Sequence, residues 1–131
     1  MPIAMPQTCI TIGAIGMTNR IKVLKVGKVP YRVPSVYVAI GSELVTNDAS
    51  NHWVFNVETI DLDGNVLVQG GISKSHQLGM KVDRWEQLDW PLRMIQEATL
   101  TVKVERVGSP TGLSGFEIAY DLETRYDRAG G

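Results

Sequence analysis

Two alternating stretches in the C-terminal half restrict the fold more than any other feature of this chain. Ala98, Leu100, Val102 and Val104 alternate with Thr99, Thr101, Lys103 and Glu105, and Phe116, Ile118, Tyr120 and Leu122 alternate with Glu117, Ala119, Asp121 and Glu123. A period of two sends successive side chains to opposite sides of a strand, so each stretch buries one face and wets the other, as in an antiparallel sheet. The Gly/Pro loop at 108–112 between them predicts a long hairpin. A second hairpin is predicted at Asp63-Gly64, a turn pair that tolerates positive φ, between β-formers at 52–60 and a strand at 65–69. Further strands are predicted over 8–15, 20–26 and 34–40 and around Leu78, Met80 and Val82. One helical turn competes: Asp83 with Glu86 forms a capping-box-like start, Trp85 and Leu88 share a face, and Pro91 stops it. The expectation is an all-β chain: a single antiparallel β-sandwich, jelly-roll or Ig-like, with about eight strands and at most one short helix.

A chain of 131 residues that is 44% hydrophobic is large enough to bury one core and too apolar for disorder, so residues 1–131 are read as one domain. Residues 1–19 are expected to be an N-terminal arm or an edge strand. They lack the basic start and continuous apolar run of a secretory signal, and no stretch of about 20 apolar residues offers a membrane span. Cys9 alone allows no internal disulfide, and it is expected to be a small buried side chain. With no Asn-x-Ser/Thr acceptor, synthesis inside a cell is expected.

No motif names a reaction. Asp61-Leu62-Asp63-Gly64-Asn65 has its glycine at the fourth position and Ile72 at the twelfth, so it reads as a turn and not as a calcium loop. Gly13-Ala14-Ile15-Gly16 matches the KH backbone-gripping loop only in its glycines and sits among strands, which favours a β-turn. Ser73, Ser75 and His76 supply residue types for a nucleophile and base, yet 70–75 reads as a polar loop, and geometry rather than composition defines such a site. No catalytic, metal or cofactor-binding residue is assigned, and no cofactor is expected.

Charge is distributed unevenly. Up to Ser42 the chain carries Arg20, Lys22, Lys25, Lys28 and Arg32 and no acid, whereas from Glu43 onward eight basic residues face fourteen acidic ones, a net of −6. The basic segment is either an edge strand that blocks pairing with lysines or a partner-binding surface. Tyr31 and Tyr37 beside these cations have the chemistry for single-stranded nucleic acid, but the acidic remainder argues against that partner. Trp85 and Trp90 are read as a plug for one end of the sandwich, a protein-contact anchor or a sugar platform. The candidate partner-binding residues are therefore Ile3, Ile10 and Ile12 of the apolar leader, Arg20, Lys22, Lys25, Lys28, Tyr31 and Arg32 of the basic segment, and Trp85 and Trp90.

In size, in its Pro-containing apolar leader (Met1-Pro2-Ile3-Ala4-Met5-Pro6), in strand number and in scarce Cys and His, the chain resembles small β-sandwich accessory proteins of tailed-phage virions, the capsid decoration or cement type. That resemblance implies a non-enzymatic virion component, made in the host cytoplasm. It would form a dimer or trimer and bind capsid, tail or other virion subunits through its surface. Two other expectations stand beside it: a carbohydrate-binding or adhesin module using Trp85 and Trp90, and an enzyme whose site is invisible in the sequence.

Overall fold

The computed structural model describes residues 8–124. Four long strands form one sheet: β2 (Asn19–Val26), β5 (His52–Asp61), β6 (Val66–Lys74) and β9 (Ala98–Val107), in the order β2-β9-β5-β6. Four shorter ones form a second: β1 (Thr8–Ile12), β4 (Val36–Ala39), β7 (Glu86–Gln87) and β10 (Phe116–Tyr120), in the order β1-β10-β4-β7. A small third sheet joins β11 (Glu123–Thr124), β3 (Tyr31–Arg32) and β8 (Met94–Ile95) in the order β11-β3-β8. All ladders between these strands are antiparallel. The chain is thus an antiparallel β-sandwich, with more strands than the sequence predicted because short pairings such as β7 and β8 carry no alternation of their own.

The core lies between the two larger sheets. Trp53, Phe55, Val57, Leu100, Val102 and Val104 of the long sheet meet Val36, Val38, Phe116 and Ile118 of the short one. β5 and β9 are the central strands, and β5 is buried from His52 to Thr59 on its outward as well as its inward side. The two buried tryptophans satisfy their indole N–H groups on loop carbonyls: Trp53 Nε1 donates to Thr111 O and Trp90 Nε1 to Val33 O, both at 2.8 Å.

Several expectations need correction. The two alternating stretches are not a hairpin: β9 pairs with β2 and β5, while β10 pairs with β1 and β4 in the other sheet. Alternation specifies which side of a strand is buried and not which strand lies beside it, so the 108–115 connection is free to cross the sandwich. The single helical turn is α1 (Ser75–Leu78), closed by Gly79 in the left-handed region (φ 61°), and not 83–88. Asp83 itself has φ 58°, and Glu86–Gln87 pairs with β4 instead. The expected strand through Leu78, Met80 and Val82 reduces to one parallel bridge, Ile40 to Val82. Residues 70–74, read as a loop, complete β6. The Asp63-Gly64 hairpin is present as expected, joining β5 to β6.

Candidate partner-binding surface

The basic residues of β2 would not share a face in a regular strand. Arg20 and Lys22 are two apart, but Lys25 has the opposite parity. A β-bulge between Lys22 and Leu24 inserts one residue and turns Lys25 back to the side of Lys22. The register then builds rows across the outward face of the long sheet: Arg20, Lys103, Asn56 and Ile72 in one, Lys22, Thr101 and Glu58 in the next, and Lys25 beside Thr99 in a third. Lys103, which the sequence reading did not select, therefore joins three of the five N-terminal cations. Its outward direction was readable from the alternation in β9, but its neighbours were not.

Glu58 sits in the middle of this face and is fully buried. Its Oε1 receives Arg20 Nε at 2.9 Å, whereas Oε2 has no hydrogen-bond partner, and neighbouring Asn56 Oδ1 likewise has none. Arg20 reaches diagonally across β9 to make this pair. At the hairpin end of the same face, Lys22, Leu24, Lys25, Ile60, Leu62 and Thr99 line a cup of about 370 Å³. Ile72 and Val66, outward on β6, are 58% and 42% exposed. The face thus carries cations beside exposed apolar side chains.

The remaining predicted residues are scattered. Ile3 lies outside the described residues. Ile10 and Ile12 point inward from β1, which is the edge strand of the short sheet, and pack on the core. Lys28 is exposed in the β2–β3 connection, where its carbonyl accepts from Gln96 Nε2. Tyr31 packs partly against the core, and Arg32 faces Glu123 at 3.3 Å on the small third sheet. Trp85 is half-buried, whereas Trp90 is only 5% exposed and belongs to the core, so of the readings plug, contact anchor and sugar platform the last lacks its pair of exposed rings. Trp90 lines a groove of about 550 Å³ with Ile72, Ser73, Gln87 and Asp89, where the edges of β6 and β7 approach. Cys9 is exposed on the outward side of β1, not buried as expected, because the inward positions go to Ile10 and Ile12.

The other chemistry-bearing residues are engaged in structure. Ser75 Oγ donates to Asn47 Oδ1 at 2.6 Å and accepts from Trp53 N, and Ser73 Oγ accepts from Asp89 N. His76 lies against His52 with ring centroids 4.5 Å apart and the ring planes tilted by 46°. Asp61 Oδ1 accepts from the amides of Asp63 and Asn65, and these bonds hold its carboxyl below the usual value. Its oxygens thus close the turn the sequence predicted. Among the described residues no group of three or more His, Cys, Asp or Glu is placed to hold a metal ion, and no helix is long and apolar enough to cross a membrane. No family model, curated protein or solved structure matches this chain.

Proposed function

We propose that this protein is a non-enzymatic assembly component that binds neighbouring protein subunits, including its own copies, through the outward faces of its sheets. The observation that carries this reading is the face of the long sheet, where Arg20, Lys22, Lys25 and Lys103 stand beside exposed Ile72 and Val66. Apolar side chains left in water next to a charged border are the pattern of a surface that is covered in use. A virion accessory role, binding capsid or tail subunits, is the particular form implied by the resemblance to decoration proteins. A glycan-binding role has less support, since Trp90 is spent on the core.

The test is the mass of the full chain in solution. Sedimentation at rising concentration and low salt is expected to give species heavier than the 14.4 kDa monomer. A monomer throughout, with no binding to candidate virion subunits in a pull-down, would refute the reading.

A further inference from the structure

We infer that the two outward faces of the sandwich are complementary, so that copies stack with the long sheet of one on the short sheet of the next. This rests on the assembly reading above and names its partner as a second copy.

The two faces carry opposite charge. On the long sheet Arg20, Lys22, Lys25, Lys74 and Lys103 point outward, against Glu105 and a buried Glu58 already held by Arg20. On the short sheet the outward positions are Cys9 and Thr11 of β1, Glu117 and Ala119 of β10, Tyr37 and Ala39 of β4 and Gln87 of β7. Asp121 continues that face past β10 and accepts a hydrogen bond from the Tyr37 hydroxyl at 3.1 Å. Among the described strand residues of this face there is no Lys or Arg.

Ala39 and Ala119 at the centre of the short-sheet face are themselves buried, so contact there falls to the side chains around them, while Ile72 and Val66 stand exposed on the long-sheet face. Stacking like on like would oppose lysines to lysines or carboxylates to carboxylates, which costs specificity and slows encounter. Stacking unlike faces pairs the charges and covers the projecting apolar groups. Such a contact is heterologous, with its two halves on opposite sides of one molecule, so it repeats and gives an open stack instead of a closed dimer or trimer.

The patch is small. The short sheet sets the limit: its four strands, about 4.8 Å apart and only two to five residues long at roughly 3.3 Å per residue, span about 20 Å by at most about 17 Å. That lies below the size of a standard stable interface, so the association should be weak and salt-sensitive.

The experiment uses the full chain in sedimentation velocity at about 0.02 M and about 0.5 M salt. The native protein should associate at low salt and return toward monomer at high salt. Two variants reverse one face each: Lys22→Glu with Lys25→Glu, and Thr11→Lys with Glu117→Lys, all at exposed or half-buried outward positions. Each alone should self-associate at least about tenfold more weakly, and an equimolar mixture should regain association, because an unaltered acidic face then meets an unaltered basic one. That recovery also shows that both variants fold. If the native chain associates and either variant associates equally well, or the mixture stays monomeric, the assignment of faces is overturned while the assembly reading stands. A native chain that is monomeric throughout overturns the stacking proposal, and the assembly reading falls with it only if the chain also binds no candidate virion subunit. If the lysine reversals leave self-association intact but abolish binding to a DNA oligonucleotide, the basic face belongs to nucleic acid and the stacking proposal fails.

Discussion

Removing Arg20 should destabilise the domain through a residue it touches and not through its own contacts with solvent. Glu58 is fully buried, and Arg20 Nε is the donor to its carboxylate. Breaking a buried ion pair by deleting one partner typically costs about 3–5 kcal/mol, because a charge is stranded. Here the Arg20 side chain is 42% exposed, so its removal opens a path for water to Glu58 and places the cost lower. A hydrogen bond to a charged group alone is worth about 1.5–3 kcal/mol, so Arg20→Ala should cost about 2–3 kcal/mol. For a chain of this size that is a fall in thermal midpoint of roughly 6–15 °C. Urea titration followed by circular dichroism should show the same loss as a lower midpoint with unchanged slope. Replacing both partners by apolar residues of similar size, Arg20→Met with Glu58→Leu, should recover most of the stability, since the stranded charge is gone. A loss under about 0.5 kcal/mol for Arg20→Ala, or a double variant as unstable as the single, would refute this account of the pair.

Three further outcomes are expected. Phe116→Ala, at a fully buried position in the short sheet, should cost roughly 3–5 kcal/mol and Val102→Ala a few kcal/mol, both measurable by urea unfolding; unchanged midpoints would mean the strand registers are wrong. Partial desolvation of Sγ, and then the nearby Glu117 carboxylate, raise the Cys9 thiol above its ordinary value. Less thiolate is then present at any given pH, so alkylation near neutral pH should be slower than for a free cysteine despite exposure, and Glu117→Gln should accelerate it. Asp61 is depressed in the folded state, so its contribution to stability is present above the unfolded carboxylate range near 4 and is lost as pH falls through the folded value. The difference in midpoint between native protein and Asp61→Ala should accordingly shrink on acidification, with hydrogen exchange at Asn65 rising in step.

The sequence disclosed what depends on one strand at a time. Alternation in 98–105 and 116–123 correctly marked Val102, Val104, Phe116 and Ile118 as core, and Asp63-Gly64 marked its turn, since both follow from local geometry. It could not show that β9 and β10 lie in different sheets, because the same burial pattern serves either pairing. Short stretches were misread for a related reason. Asp83-Arg84-Trp85-Glu86 has the residues of a helix start, but Asp83 stands at positive φ with its N–H donating to Ile40 O, a tertiary contact in place of the local helix. The candidate surface was half legible. Arg20 and Lys22 stood out as an acid-free run, but the bulge that turns Lys25 outward, the arrival of Lys103 and the pairing of Arg20 with Glu58 are properties of the assembled sheet.

The pairing of β1 with β10 also bears on how the molecule is made. Cys9 and Ala119 are register partners although about 110 residues separate them, so β1 has no ladder until β10 has been synthesised. The long sheet has no such delay within β5 and β6, which are joined by the Asp63-Gly64 turn and can zip locally. Closing a loop of this length costs entropy before any contact repays it, and topologies rich in such contacts fold slowly. On a ribosome adding about 5–20 residues per second, β1 must therefore wait for β10, leaving Ile10 and Ile12 uncovered in the meantime. A nascent chain stalled before residue 116 would keep that apolar strand available to whatever meets it first, a chaperone or another unfinished copy.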